Sequence, residues 1–269
     1  MTSTFSMPVV LILAGNDPSG GAGIAADIES LVSVGCHPAP VITALTVQDT
    51  QNVKEMVPLS PGLLAAQARA VLEDMPVAAI KIGLTGSVEN TEVIHTLLMD
   101  YPHIPVILDP ILAAGGGTQL ATLDLLDALR TLLLPLTTVL TPNSPEARRL
   151  APAADSLEAC ASALLETNCK FVLITGTHED SPQVTNILYG NYRLLETFTW
   201  ERLPYSYHGS GCTLAATIAG FIAHGEEPRS AIRRAQNYTF EALRAGYQPG
   251  KGQHIPRRLF WATKNNSSS

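Results

Sequence analysis

The chain has no cysteine pair and few cysteines from which to make one. Cys36, Cys160, Cys169 and Cys212 lie far apart with no Cys-x-x-Cys spacing, so neither a zinc site nor a disulfide framework is indicated. A basic stripe is also missing. Seventeen Lys and Arg against 24 Asp and Glu leave a net charge of −7, which cannot neutralise a polyphosphate backbone and argues against nucleic acid as a partner. Residues 1–8 carry no cationic stretch, and no apolar run reaches the roughly 20 residues of a bilayer span. The expected setting is therefore cytoplasmic, with no membrane contact. No segment repeats at a period of about 20–50 residues. The one low-complexity piece, Asn265 to Ser269, predicts a disordered tail over residues 263–269 behind a single domain over residues 1–262.

What is present is 46% hydrophobic in 269 residues, enough to bury a sizeable α/β core. Short β-rich runs at Val9–Leu13, Ala78–Ile82, Val106–Leu108, Thr138–Leu140 and Phe171–Ile174 alternate with longer segments of helical period. That rhythm predicts a mostly parallel sheet covered by helices on both faces, consistent with strands that are apolar nearly throughout. Ile187–Tyr189 and Tyr192–Leu194 flank Gly190-Asn191, a dipeptide suited to a two-residue turn, so an antiparallel edge hairpin is expected there.

Chemistry is expected where strands end. After the first strand comes Ala14-Gly15-Asn16-Asp17-Pro18-Ser19-Gly20-Gly21-Ala22-Gly23, then an amphipathic helix with Asp27. The glycines let a ligand approach backbone closely, but the Gly-Lys-Ser/Thr ending of a Walker loop and the spacing of a dinucleotide fingerprint are both absent. Asp27 reads either as a site residue or as a first-turn carboxylate favouring the helix dipole. Gln48 ends an apolar run; its amide offers donor and acceptor side by side, matching the edge of a heteroaromatic ring such as an aminopyrimidine, or it is a solvated loop residue.

His208-Gly209-Ser210-Gly211-Cys212-Thr213 leads into a helix whose apolar face is marked by Leu214, Ile218, Phe221 and Ile222. Glycines before a helix start make an anion hole of backbone N–H groups. In that first turn the dipole is expected to lower the thiol pKa of Cys212, fitting it as a base towards a hydroxyl; the alternatives are a packing residue or an acyl-transfer nucleophile served by His208. Thr141 to Glu146 follows another strand. Asn143 and Glu146 read either as oxygen ligands facing one point, suited to hydrated Mg²⁺, or as a helix cap with its partner.

In order and spacing, the glycine loop with Asp27, Thr43 to Gln48, Lys81-Ile82-Gly83, Asp109-Pro110, Thr141 to Glu146 and Gly209 to Thr213 together resemble the hydroxymethylpyrimidine and phosphomethylpyrimidine kinases of thiamine biosynthesis, in the ribokinase superfamily. The resemblance spans about residues 9 to 250. It implies a three-layer α/β/α ribokinase-like sandwich that uses ATP and Mg²⁺ to phosphorylate a hydroxymethylpyrimidine or its monophosphate. The implied pyrimidine pocket is Gly15, Asp27, Gln48, Leu84, Ile111 and Cys212. Asn143, Glu146, Thr175 and Gly176 would hold the nucleotide, Glu146 and Asp109 the metal, and Gly209, Ser210 and Gly211 would donate N–H groups to the moving phosphoryl.

Asn16, Ala25, Leu84 and Thr175 depart from the family pattern, as does Ala114-Gly115-Gly116-Gly117 where Ala-Lys-Ser-Gly is usual. Thr175 matters most, standing where the family places a lysine near the phosphates; Lys251 is one candidate replacement. The competing readings are a pyridoxal-type kinase and a catalytically weak pyrimidine-binding regulatory protein. The expected partners are a small pyrimidine and a second copy of the chain in a homodimer.

Overall fold

A computed structural model describes residues 7–263 of the chain. In order along the chain, the elements are β1 (Val9–Asn16), α1 (Gly23–Ser33), β2 (His37–Gln48), β3 (Val53–Pro58), α2 (Pro61–Asp74), β4 (Val77–Ile82), α3 (Val88–Asp100) and β5 (Val106–Leu108). The second half holds α4 (Leu123–Ala128), β6 (Val139–Leu140), α5 (Ser144–Leu150), α6 (Leu157–Glu166), β7 (Phe171–Ile174), β8 (Gln183–Gly190), β9 (Arg193–Glu201), α7 (Ser210–Ala223) and α8 (Pro228–Arg244). Most of the tail expected to be disordered, residues 264–269, lies outside the described residues.

One nine-stranded sheet runs in the order β3-β2-β1-β4-β5-β6-β7-β8-β9. Strands β2 to β7 in that row pair in parallel, while β3 at one edge and β8 and β9 at the other are antiparallel. The architecture is thus the α/β sandwich expected. Strand alternation sorts the core into two layers. Val10 and Ile12 of β1 face one side with Leu31, Leu214, Ile218 and Ile232, whereas Leu11 and Leu13 face the other with Ile80, Ile82, Ile94 and Leu97. Side-chain caps at Ser60, Ser87, Thr122, Asn143 and Ser156 start α2 to α6, each satisfying a backbone N–H and contributing about 1 kcal/mol.

Three expectations are corrected. The hairpin is present, but its turn is Asn191-Tyr192, with φ of 51° and 56°, and Gly190 pairs with Arg193 inside the ladder. Helix α7 has no polar face: every residue from Cys212 to Ile222 is buried, because α1 and α8 pack against it and the sheet lies beneath. The second antiparallel edge, β2 with β3, was not anticipated. Among the described residues, no helix is long and apolar enough to cross a membrane.

Candidate active site

The order of strand addition reverses at β1, whose parallel neighbours are β2 on one side and β4 on the other. In open α/β sheets such a switch point leaves a crevice beyond the carboxyl ends of the strands. Here it is a cavity of about 390 Å³. Gly15, Gln48, Leu84 and Ile111 line one end, and Asp109, Asn143, Glu146 and Thr175 reach towards the other; Gly209, Ser210, Gly211 and Cys212 also line it. Two expected residues do not. Asp27 is fully buried beneath the floor, paired with Lys81 at 2.8 Å, and, as the fifth residue of α1, it is not in the first turn either. Gly176 points away from the cavity, its N–H donating to Asn186 Oδ1 at 3.1 Å.

The end lined by Gln48 is a hydrogen-bonded array centred on Asp17. The carboxylate accepts from Ser19 N at 2.8 Å, Ala22 N at 2.9 Å and His208 Nε2 at 2.8 Å. Burial pushes the Asp17 carboxyl up, but the bonds from His208 and Ser19 outweigh it and hold its pKa below the usual carboxylate value. An ionised Asp17 can only accept, so His208 Nε2 carries the hydrogen and donates it to that bond. Gln48 Nε2 stands 2.8 Å from that same nitrogen, and two donors cannot face each other. The amide is therefore read with its oxygen towards His208 and its NH₂ group towards Thr46 and the cavity. It then offers one N–H and one remaining lone pair to a ring edge.

At the other end, Gly209 is the N-cap of α7 at φ 83°, with no side-chain cap, so no side chain competes for the first-turn N–H groups. A Cβ at this position would overlap the Gly21 carbonyl. Cys212 occupies the third position of the helix, but the expected low pKa is not found. Burial pushes the thiol up to about 12, against a weaker pull from Lys81, because complete desolvation outweighs the dipole. Lys81 remains a cation: burial works against its charge, and attraction from Asp27 beside it outweighs that cost.

Asn143 and Glu146 do not converge as two free oxygen ligands. They form a capping box: Asn143 Oδ1 accepts from Glu146 N, and Glu146 Oε2 accepts from Asn143 N, both at 2.9 Å. Glu146 Oε1 accepts from Leu112 N at 3.3 Å. Asn143 thus turns its NH₂ donors, and not its oxygen, to a ligand. Burial, reinforced by Asp109, raises Glu146 to about 8. Burial also raises Asp109 to about 6, and its Oδ2 is buried with no hydrogen-bond partner.

Thr175 sits at the end of β7, its N–H donating to Pro142 O at 2.9 Å and its carbonyl accepting from Ser144 N at 3.1 Å. Lys251 does not reach this cavity; it lines a separate depression with Gln51 and His254. The cation lining the main cavity nearby is Arg202. Its Nε, Nη1 and Nη2 donate to the carbonyls of Ser181, Thr177 and Glu179, each at 2.9 Å, which holds the guanidinium still with two N–H donors to spare.

The profile of the phosphomethylpyrimidine kinase family matches residues 17–257. The chain belongs to this family. The kinase is 36% identical over 263 residues to the hydroxymethylpyrimidine/phosphomethylpyrimidine kinase of Mycobacterium tuberculosis, covering 94% of both chains. It is 35% identical to the thiamine biosynthesis bifunctional protein of Geobacter sulfurreducens, covering 90% of this chain and spanning half the length of that protein. An ADP complex of Bacillus subtilis pyridoxal kinase superposes with a TM-score of 0.88 at 25% identity, over 96% of this chain and 100% of that one.

On sequence alone, Asp17 and Lys81 are given no part in the site and His208 is weighed only as a base for Cys212. Asp17 precedes Pro-Ser-Gly-Gly, a pattern in which aspartate bonds backbone two residues on. A lysine inside the apolar run of β4 signals a buried partner, since lysine is almost never fully buried unpaired.

Proposed function

We propose that the kinase transfers the γ-phosphoryl group of ATP to the hydroxymethyl group of 4-amino-5-hydroxymethyl-2-methylpyrimidine or to its monophosphate, in thiamine synthesis. The observation that carries this reading is one cavity with an oriented Gln48 amide at one end and the Gly209–Cys212 helix start at the other. Gln48 binds the aminopyrimidine edge between Leu84 and Ile111. The first-turn N–H groups of α7 receive charge developing on the phosphoryl oxygens, a contribution made by position more than by covalent chemistry. Cys212 takes the proton leaving the hydroxyl only once its own proton has left; burial opposes that thiolate, and the Lys81 cation beneath favours it.

Among the described residues no group of three or more His, Cys, Asp or Glu converges as a metal cage. The donor set still fits Mg²⁺, which keeps several waters and is held through one or two carboxylates and substrate phosphates. Asp109 Oδ2 and Glu146 would hold it, and when bound it supplies positive charge to the phosphate oxygens. Asn143 and Arg202 donate to the nucleotide from the same side.

Two further points belong to the reading. Leu45, Val47 and Val57 expose apolar surface on the β2–β3 edge, which supports a homodimer. All four cysteines are free and buried, which suits a reducing, cytoplasmic setting. A phosphoryl-transfer assay with the pyrimidine alcohol, its monophosphate and pyridoxal tests the assignment. Preference for either pyrimidine supports it; equal or faster turnover of pyridoxal, or none of any alcohol, overturns it.

A further inference from the structure

Arg258 is only 1% exposed. It comes from the segment after α8, and its guanidinium reaches three elements. Nη2 donates to the Gly21 carbonyl in the glycine loop, Nε to Thr213 Oγ1 in α7 at 2.9 Å, and Nη1 to Glu29 of α1 at 3.0 Å. The backbone behind it is anchored as well, its carbonyl accepting from Ser33 Oγ at 2.9 Å and Tyr238 OH at 2.5 Å. A buried cation is costly to desolvate and an apolar side chain could fill the same volume, so what the guanidinium adds is direction.

We infer that Arg258 is a positioning residue that holds the glycine loop in register with the start of α7. The link is the peptide unit between Gly21 and Ala22, which is planar and rigid. Its carbonyl is held by Arg258 and its N–H by Asp17 Oδ2 at 2.9 Å. Both ends being fixed, the plane cannot turn. Asp17 then fixes His208 at 2.8 Å, and His208 faces Gln48. Through Nε the same guanidinium holds Thr213, one residue beyond Cys212. Arg258 thereby ties the ring-reading end of the cavity to its phosphate end, at the place where Gly209 and Gly21 touch too closely for a side chain.

The kinetic part rests on the proposed pyrimidine phosphorylation, and the test separates the two. Arg258→Lys keeps the charge but loses the fork of donors. It is expected to lower kcat about thirtyfold and raise KM for the pyrimidine alcohol about tenfold, with KM for ATP within about threefold of the parent. In a Gln48→Ala background the KM effect should vanish, because both changes act on one chain of contacts. Tyr238→Phe removes a bond to the Arg258 backbone and leaves the guanidinium in place; it should cost stability without changing either constant. Amide exchange at Ala22 and Thr213, which needs no substrate, should quicken about tenfold or more in Arg258→Lys and stay unchanged in Tyr238→Phe.

Kinetic constants within about twofold of the parent, KM effects that multiply with Gln48→Ala, or unchanged exchange at both amides would overturn the inference. A parent protein inactive on the pyrimidine would refute the substrate reading, while the exchange experiment would still decide the role of Arg258.

Discussion

At the end of the cavity proposed to read the ring Asp17 accepts three hydrogen bonds from inside the protein, whereas at the end proposed for the phosphates Asp109 Oδ2 is buried with none. The same contrast runs through the neighbours. Gln48 and His208 are oriented by what they touch, while burial lifts the pKa values of Glu146, Asp109 and Cys212. A neutral ring can be met by an array assembled beforehand, since little charge moves when it binds. A nucleotide with its cation brings charge, and groups left unsatisfied before it arrives are the ones able to respond to it.

The largest change should follow from removing the group that acts only during transfer. Cys212→Ala is expected to lower kcat about 10²- to 10³-fold with pyrimidine affinity nearly unchanged, as measured by steady-state kinetics beside calorimetric titration. Near-normal kcat would return Cys212 to packing and erase the contrast.

Next comes the assembled end. Gln48→Ala should raise KM for the pyrimidine about tenfold or more and KM for ATP by less than about threefold, because ring atoms lose their partner and phosphates do not. Equal losses on both substrates would show that the two ends are not separable.

Asp109→Asn gives a stability signal of opposite sign to its effect on activity. Below about pH 3 the carboxyl is mostly protonated in folded and unfolded chains alike, so the variant and parent should melt within about 1 °C of each other. As pH rises to 6 the unfolded chain ionises freely, while the folded chain, with Asp109 near 6, resists. The parent therefore loses stability across that window and the variant does not. In metal-free buffer at about pH 7.5 the variant should melt roughly 6 °C higher, corresponding to about 3 kcal/mol, while phosphoryl transfer falls. A lower melting temperature in the variant would mean that the carboxylate is satisfied by a contact inside the folded chain.

The smallest effect is expected at Thr175. With Arg202 already lining this side, Thr175→Lys should change kcat/KM for ATP by less than about threefold. A gain of about tenfold, worth about 1.4 kcal/mol, would show that the phosphate end lacks a cation.

Much of this plan can be read along the chain, and the omissions have physical causes. Strands β5 and β7 were placed with their observed bounds because both faces are covered and their apolar runs are unbroken. Strand β2 was not among the expected strands; Pro38 and Pro40, a residue type rare inside sheets, interrupt its pattern. Both sit where β2 pairs only with β1, before β3 joins at Ala44, so their missing N–H groups leave no gap in the other ladder. Residue types at the site were mostly legible, since glycines before a helix and an amide at a strand end carry local meaning. Asp27 with Lys81, 54 residues away, and the desolvation of Cys212 depend on which surfaces the fold brings together. No local pattern reports those.

The bond from Arg258 to the Gly21 carbonyl also sets an order in time. A ribosome delivers Arg258 more than two hundred residues after the glycine loop. At about 5–20 residues per second, the loop waits roughly 10 to 50 s for its clasp. During that interval the strands and helices between them can pack, while the two ends of the cavity remain out of register. On the inferred role of Arg258, a chain that has formed most of the sheet but not yet received this segment lacks the register between the two ends of the cavity.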